Sequence, residues 1–188
     1  MNKEVLYDEC INKCIAFLDR KYYPYYFLMF ISAFILLFFK SFFFILVMLI
    51  INGLLSFFLR PMKKIPHGIE LVMFNTVFTS YVYGSKIGAI VGVLSIASSY
   101  IIMGRVSLYI AAYIPMYALI GYLAHFFNSY QISYVGIAFS VIYSVITSAL
   151  VILIFNAKIY KAFFFITTNL FFNYFMFFTI APKLLAIA

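Results

Sequence analysis

The sequence predicts an all-α membrane protein, a bundle of helices that crosses a lipid bilayer several times. Its 188 residues are 67% hydrophobic and only 10% charged, whereas soluble domains are about 25% charged. Long apolar runs follow one another with short polar breaks, and a hydrocarbon layer about 30 Å thick takes roughly 20 apolar residues per helix. These runs lack the alternation of barrel strands, so helices are the predicted element in lipid.

The first 21 residues are predicted to form a separate amphipathic helix. Leu6, Cys10, Cys14 and Phe17 recur at helical spacing, and charged residues occupy the rest of the wheel. Such a helix is expected to lie on the membrane surface. Cys10 and Cys14 make a poor disulfide pair at this spacing, so both are expected to be reduced.

Residues 22–188 are predicted to form a single transmembrane bundle with a six-helix core. Segment 22–39 either crosses the membrane as an additional helix or folds against the next segment as a hairpin. Segment 68–83 is the shortest, and it either crosses as a short tilted helix or re-enters the membrane. The predicted segments are 22–39, 41–59, 68–83, 86–103, 107–127, 132–155 and 159–182.

Lys and Arg residues between these segments predict the orientation of the bundle. If all seven segments cross, one side carries ten of these cations and the other carries three. The positive-inside bias then places the N-terminus, loop 60–67, Arg105, Lys158 and Lys161 in the cytoplasm. Cations scattered between apolar segments favour contact with lipid headgroups and argue against a nucleic-acid-binding face.

Rows of small residues predict where helices pack closely, because association in lipid depends on close van der Waals contact. Pro115 lies between two such rows and is expected to kink its helix. The first row is Gly84, Gly88, Gly92, Ser95 and Ser99, and the second is Gly136, Ser140, Ser144 and Ser148.

Polar residues within apolar segments are candidates for a buried site. Asn75, Asn169 and Asn173 either form hydrogen bonds between helices or line a cavity together with nearby charged residues. Glu70 is the only acid after Asp19. It is expected in the first turn of a helix, where the helix dipole favours a carboxylate, or paired with a nearby cation, or in contact with a ligand.

The sequence offers no set of residues for catalysis or for a cofactor. His67 and Glu70 are three residues apart, and two ligands of this kind are too few for a metal site. One acid and two histidines after Asp19 provide no acid–base pair and no nucleophilic triad. We therefore expect neither enzymatic activity nor a bound metal.

The stretch "IPHGIELVMFNTVFTSYVYGSKIGAIVGVLSIASSYIIMGR" resembles the substrate-binding S components of energy-coupling factor transporters. The shared features are a short apolar helix, a glycine-marked turn, and a Gly-rich helix that here contains Gly88, Ala89, Val91 and Gly92. The resemblance extends over roughly residues 41–182. The rod-shape protein MreD has a similar six-helix architecture.

The resemblance implies a multi-pass plasma-membrane protein that binds a vitamin or another small molecule near the extracytoplasmic face. Its implied partners are a transmembrane coupling protein and two ATPases. Basic loops on that face would suit an anionic substrate, although the positive-inside count places the same loops in the cytoplasm. The candidate binding residues are Arg60, Lys63, Lys64, His67, Glu70, Asn75, Arg105, Lys158, Lys161, Asn169 and Asn173.

The alternative interpretation is an MreD-like structural or scaffolding membrane protein. In that case the basic loops would contact anionic lipid or partner proteins. Each cation near the headgroups would contribute about 1 kcal/mol to binding at the anionic membrane surface.

Overall fold

A computed structural model describes residues 23–38, 40–62, 65, 67–104 and 110–186. All regular elements in these ranges are helical, which confirms the predicted all-α class. The predicted helix in residues 1–21 lies outside the described residues. The helices are α1 (Tyr23–Phe38), α2 (Lys40–Phe58), α3 (Val72–Tyr83), α4 (Ser85–Met103), α5 (Ile110–Leu123), α6 (Ile132–Phe155), α7 (Ile159–Phe175) and α8 (Ala181–Leu185).

Five helical stretches of the described chain are long and apolar enough to cross a membrane. Short 3₁₀ and π-helical turns extend two of them, so that α5 continues to Phe127 and α7 continues into α8. The protein is therefore a multi-pass membrane protein whose apolar helix surfaces contact the bilayer. The five stretches are Lys40–Phe58, Ser85–Met103, Ile110–Phe127, Ile132–Ile154 and Ile159–Leu185.

The structure divides into two compact units, Met1–Phe43 and Phe44–Ala188. In the first unit, α1 is a helix of 16 residues in which every residue is apolar, proline or serine. The second unit contains most of α2, all later helices and the core.

The centre of the second unit is the short helix α3. It has 12 residues, and nine consecutive ones, Val72 to Ser80, are buried. Its length of about 18 Å is well short of the hydrocarbon thickness of about 30 Å. It packs against α4, α5 and α6, so the other helices of this unit shield it from lipid.

The residues before α3 correct one prediction. We expected Glu70 in the first helical turn, but Leu71 is the N-terminal cap and the first turn contains no acidic residue. Residues 67–71 are not helical. The physical reason is a contact with α7, described below, that draws this backbone into the bundle before a helix can begin.

Gly84 alone joins α3 to α4. Its backbone has φ 102° and ψ 163°, a conformation that is essentially restricted to glycine. This residue lets the chain reverse direction between two helices without a longer loop.

Contacts between helices define the two ends of the bundle. Gly88 of α4 faces Gly121 of α5, and Gly92 lies next to Tyr117, so α4 and α5 are antiparallel. Asn52 of α2 donates to the Ser95 carbonyl oxygen at 3.0 Å and to the Ser99 hydroxyl at 2.9 Å. The Ser56 hydroxyl, one turn later in α2, donates to the Ser99 hydroxyl at 2.9 Å. Thus α2 and α4 run in parallel.

The remaining pair, α6 and α7, is antiparallel. Asn169 contacts Ser144, whereas Ser133 at the start of α6 donates to the carbonyl oxygen of Phe177 at 2.8 Å. The rings of Tyr113 and Phe127 contact those of Tyr143 and Phe139 in α6 at 6.3 and 5.7 Å, so α5 and α6 are also antiparallel. The C-termini of α2, α4 and α6 and the N-termini of α5 and α7 therefore lie at the same end. We call it the basic end, because its described cations are Arg60, Lys158 and Lys161, all exposed.

Candidate functional site

The candidate site begins where residues 67–71 enter the bundle from the basic end. The Gly68 N–H donates to the Thr168 hydroxyl at 2.9 Å. A Cβ atom on Gly68 would lie 2.8 Å from the backbone nitrogen of Asn169, so only glycine permits this approach to α7. Thr168 is nine residues into α7, about 14 Å along the axis, so this contact lies inside the bundle and not at its end.

Non-helical backbone at this depth is tolerated in membrane proteins only where protein surrounds it or where it lines a cavity. His67 and Gly68 are buried, whereas Ile69 and Glu70 are half-buried. The break before α3 therefore places a carboxylate inside the bundle while part of that residue stays accessible.

Glu70 is held by a tyrosine from another helix. The Tyr117 hydroxyl donates to Oε1 of Glu70 at 2.9 Å, and Tyr117 is fully buried in α5. Hydrogen bonds to an ionised acceptor are roughly twice as strong as bonds between neutral groups. Ionisable side chains within membrane segments are costly and typically mark functional sites.

Three further tyrosines extend from this contact. The Tyr143 ring lies 4.6 Å from that of Tyr117 and 6.3 Å from that of Tyr113, whose ring is 5.9 Å from Tyr100. We call these four residues the tyrosine cluster. Tyr117 and Tyr143 are buried, whereas Tyr100 and Tyr113 are half-buried. Because Tyr117 and Tyr143 are buried against each other, only the half-buried Tyr100 and Tyr113 can offer ring surface to a flat apolar ring or a cationic nitrogen.

The predicted asparagines lie at two different junctions. Asn169 donates to the Ser144 hydroxyl at 3.1 Å, and Asn173 donates to the Asn169 carbonyl oxygen at 3.0 Å and to its side-chain oxygen. Asn75 instead donates to the Met48 carbonyl oxygen of α2 at 3.1 Å. Asn169 thus lies beside Gly68 and the candidate site, whereas Asn75 links α3 to α2.

One predicted cation lies on the face of α7 that borders the site. Lys161 precedes Phe165 by four residues and Thr168 by seven, so all three share a helix face. The Phe165 ring lies 6.3 Å from the Tyr143 ring, and Thr168 binds Gly68. Lys158 and Arg60 are exposed at the same end. Lys63, Lys64 and Arg105 lie outside the described residues.

The tyrosine cluster was not predicted from the sequence. The chain contains 17 tyrosines, and most lie in apolar segments where an aromatic residue is unremarkable. One weak signal exists, because Tyr113 and Tyr117 are four residues apart and therefore share a helix face. Nothing in the sequence indicates that this face meets Glu70, which is 47 residues from Tyr117.

No group of three or more His, Cys, Asp or Glu residues that could hold a metal ion occurs within the described ranges. The polar groups at the site are one carboxylate, hydroxyls, amides and a histidine. This arrangement can bind a solute through hydrogen bonds, charge and aromatic contact.

Comparisons of the chain with known protein families, with functionally characterised proteins and with solved structures find no match. The resemblance to S components and to MreD remains a prediction from the sequence.

Proposed function

We propose that this protein is the solute-binding subunit of an energy-coupling-factor-type uptake transporter in the plasma membrane. Its substrate would be a vitamin or another small molecule with an anionic group. The observation that carries the proposal is the bond between Glu70 and Tyr117 in the non-helical residues that enter the bundle before α3. In this proposal a transmembrane coupling protein and ATPase subunits supply the energy for uptake.

A binding role accounts for features that a purely structural role does not require. Transport proteins often bind solutes near the bilayer midplane, where helices are interrupted. Small-molecule sites are mostly apolar or aromatic, with a few polar groups that fix the orientation of the ligand. The tyrosine cluster, Glu70 and the exposed cations at the basic end correspond to these elements.

The test is a binding screen on the purified full-length chain in detergent. Because the chain has no tryptophan and 17 tyrosines, tyrosine fluorescence can follow its unfolding. We expect at least one compound from a panel of vitamins and small carboxylates to raise the unfolding temperature. Failure of every compound to do so would contradict the proposal.

Variants at the site then test the role of the central bond. Tyr117→Phe deletes the hydroxyl that donates to Glu70, and Glu70→Gln replaces the acid with a neutral amide, so each should change the affinity for the identified compound by about tenfold or more, the size of one hydrogen bond to a charged group. Tyr134→Phe is the matched control, because Tyr134 is exposed near the opposite end of the bundle. If all three variants bind the compound with equal affinity, then Glu70 is not part of the binding site.

An MreD-like scaffolding role is the second candidate, and the exposed cations at the basic end favour it. Replacement of Lys158 and Lys161 with Gln should then weaken binding to vesicles rich in phosphatidylserine, at about 1 kcal/mol per charge. A solute-binding subunit should keep its solute-induced stabilisation when phosphatidylserine is replaced by a neutral lipid. Cysteine accessibility at position 158, in a chain with Cys10 and Cys14 replaced by Ser, shows which side of the membrane the basic end faces.

A further inference from the structure

We infer that the groove between α2 and α4 binds one anionic phospholipid, with an acyl chain in the groove and the phosphate on Arg60 at the basic end. The inference does not depend on the proposed solute, because no residue of the groove belongs to the tyrosine cluster or to residues 67–71. It assigns one lipid molecule to a defined place on the protein, in addition to the lipid that surrounds the bundle.

The groove exists because side chains bridge α2 and α4 while their backbones make little close contact. The buried Asn52 amide forms the bridge through its bonds to Ser95 and Ser99. Gly53, the next residue of α2, has no side chain to fill the space beside this bridge. A Cβ atom on Gly53 would lie 3.2 Å from the Cδ1 methyl group of Ile102, so these two residues form part of the groove floor and wall.

The groove is apolar and opens toward the lipid. Its lining runs from Leu49 to Phe57 on α2 and from Leu94 to Ile102 on α4, about 12 Å along each axis. Ser98 is the polar residue of this lining, and its hydroxyl already donates to the Ser95 carbonyl oxygen at 2.9 Å. The groove therefore offers a hydrocarbon surface, which suits an acyl chain and not a polar solute.

The size of the groove favours a flexible chain over another helix. Its volume is about 620 Å³, whereas a helix 10–12 Å in diameter would fill about 900–1,400 Å³ over the same length. A single acyl chain can follow the groove and contact both walls at once. It thereby gains more dispersion contacts than a chain that lies on one helix surface.

The groove ends beside a cation. Arg60 follows Gly53 by seven residues and Phe57 by three, which places it on the same side of the helical path. That path continues beyond α2, because the Leu59 N–H donates to the Leu55 carbonyl oxygen at 3.0 Å. Arg60 is exposed, and its guanidinium can bind a phosphate through two parallel hydrogen bonds. Since α2 is about 28 Å long, Arg60 lies at the level of the headgroups.

The experiment counts bound lipids by native mass spectrometry of the purified full-length chain in detergent. The probes are phosphatidylglycerol, which is anionic, and phosphatidylcholine with the same acyl chains, which has no net charge. We expect one phosphatidylglycerol per chain to bind about fivefold more tightly than phosphatidylcholine, the effect of one charge near the headgroup. Equal affinities would overturn the inference, and so would a dimer that excludes lipid, because a second copy would then cover the groove.

Two pairs of substitutions at exposed positions assign the headgroup and the chain. Arg60→Gln should abolish the preference for phosphatidylglycerol, whereas Lys158→Gln, the matched control at the same end of the bundle, should retain it. Leu94→Trp fills part of the groove and should weaken both lipids about tenfold, the effect of about two methylene groups that no longer bind. Leu153→Trp is its control, because Leu153 is exposed on α6 outside the groove.

Each pair can contradict the inference. If Lys158→Gln abolishes the preference as Arg60→Gln does, then the net charge of the basic end attracts the lipid and Arg60 holds no particular headgroup. If Leu94→Trp and Leu153→Trp bind both lipids equally well, then no acyl chain occupies the groove. The comparison of the two lipids uses the wild-type chain, so a variant that fails to fold leaves that result intact.

Discussion

The α4–α5 contact and the α6–α7 contact both involve a row of small residues, but they pack in different ways. In the first contact, Gly88 and Gly121 bring two backbones together, and a Cβ atom on Gly88 would lie 2.7 Å from the Gly121 carbonyl oxygen. In the second contact, Gly136 accommodates the buried ring of Phe177 from the π-helical turn Met176–Ile180 that continues α7, and Ser144 accepts a hydrogen bond from Asn169 at 3.1 Å.

The difference shows that a small-residue row does not determine what packs on it. Where glycine meets glycine, the stabilisation comes from close van der Waals contact between two backbones, neither of which can move aside. Where glycine or serine meets a larger side chain, a ring or an amide fills the space and can adjust its conformation. The same substitution should therefore have different costs in the two contacts.

The largest effect is expected for Gly121→Ala in the backbone contact. The new methyl group would meet the backbone nitrogen of Ala89 at 2.6 Å, and overpacking of this kind costs about 1–3 kcal/mol or more. We expect the upper end of that range, about 3 kcal/mol, because α4 as a whole must shift. Thermal unfolding in detergent measures this loss of stability.

Gly53→Ala provides the matched control for that substitution. Its Cβ atom would lie 3.2 Å from the Cδ1 methyl group of Ile102, the flexible end of a side chain. Alanine is also favoured over glycine within a helix by about 1 kcal/mol. We expect this variant to be as stable as the wild type or more stable, and equal losses for the two substitutions would refute the proposed difference.

A smaller loss is expected for Gly136→Ala in the second contact. The added methyl group would collide with the Phe177 ring, a side chain that can shift while the backbones of both helices stay in place, so we expect a cost of about 1–2 kcal/mol. A double-mutant cycle sharpens the comparison: in a Phe177→Ala background the cost of Gly136→Ala should largely disappear. If the cost persists without the ring, then the backbone rather than Phe177 limits this contact.

The two rows also show how far the sequence could predict this structure. Long apolar segments locate helices because the hydrocarbon layer sets their length, and the predicted helical class is confirmed. Which surface meets Gly121 or Gly136 depends on tertiary packing, and neither Phe177 nor Gly88 carries a local signal of its partner.

The start of α3 and the site beside it were harder to predict for the same reason. Ile69 and Leu71 are as apolar as the helix that follows, so hydropathy gives no sign that the helix begins only at Val72. The break depends on a bond between Gly68 and Thr168, which are 100 residues apart. Glu70 could be selected as a candidate because it is the only acid after Asp19. Its contact with Tyr117 has no signal in the sequence.

The smallest effects are expected for a pair of serines one helical turn apart on α6. Ser144 and Ser148 are both buried, but only the Ser144 hydroxyl accepts a bond from Asn169. The Ser148 hydroxyl has no hydrogen-bond partner among the described residues. Ser144→Ala should therefore cost about 1 kcal/mol, the size of a hydrogen bond between helices in lipid.

Ser148→Ala should instead leave stability unchanged or raise it slightly, because a buried hydroxyl without a partner carries a desolvation cost that alanine lacks. The two substitutions delete the same atom from the same helix, so the changes in helix propensity and in side-chain size are the same for both. Thermal unfolding in detergent of both variants measures the difference directly. Equal losses would mean that the hydrogen bond to Asn169 contributes nothing, and that the α6–α7 contact depends on close packing as much as the α4–α5 contact does.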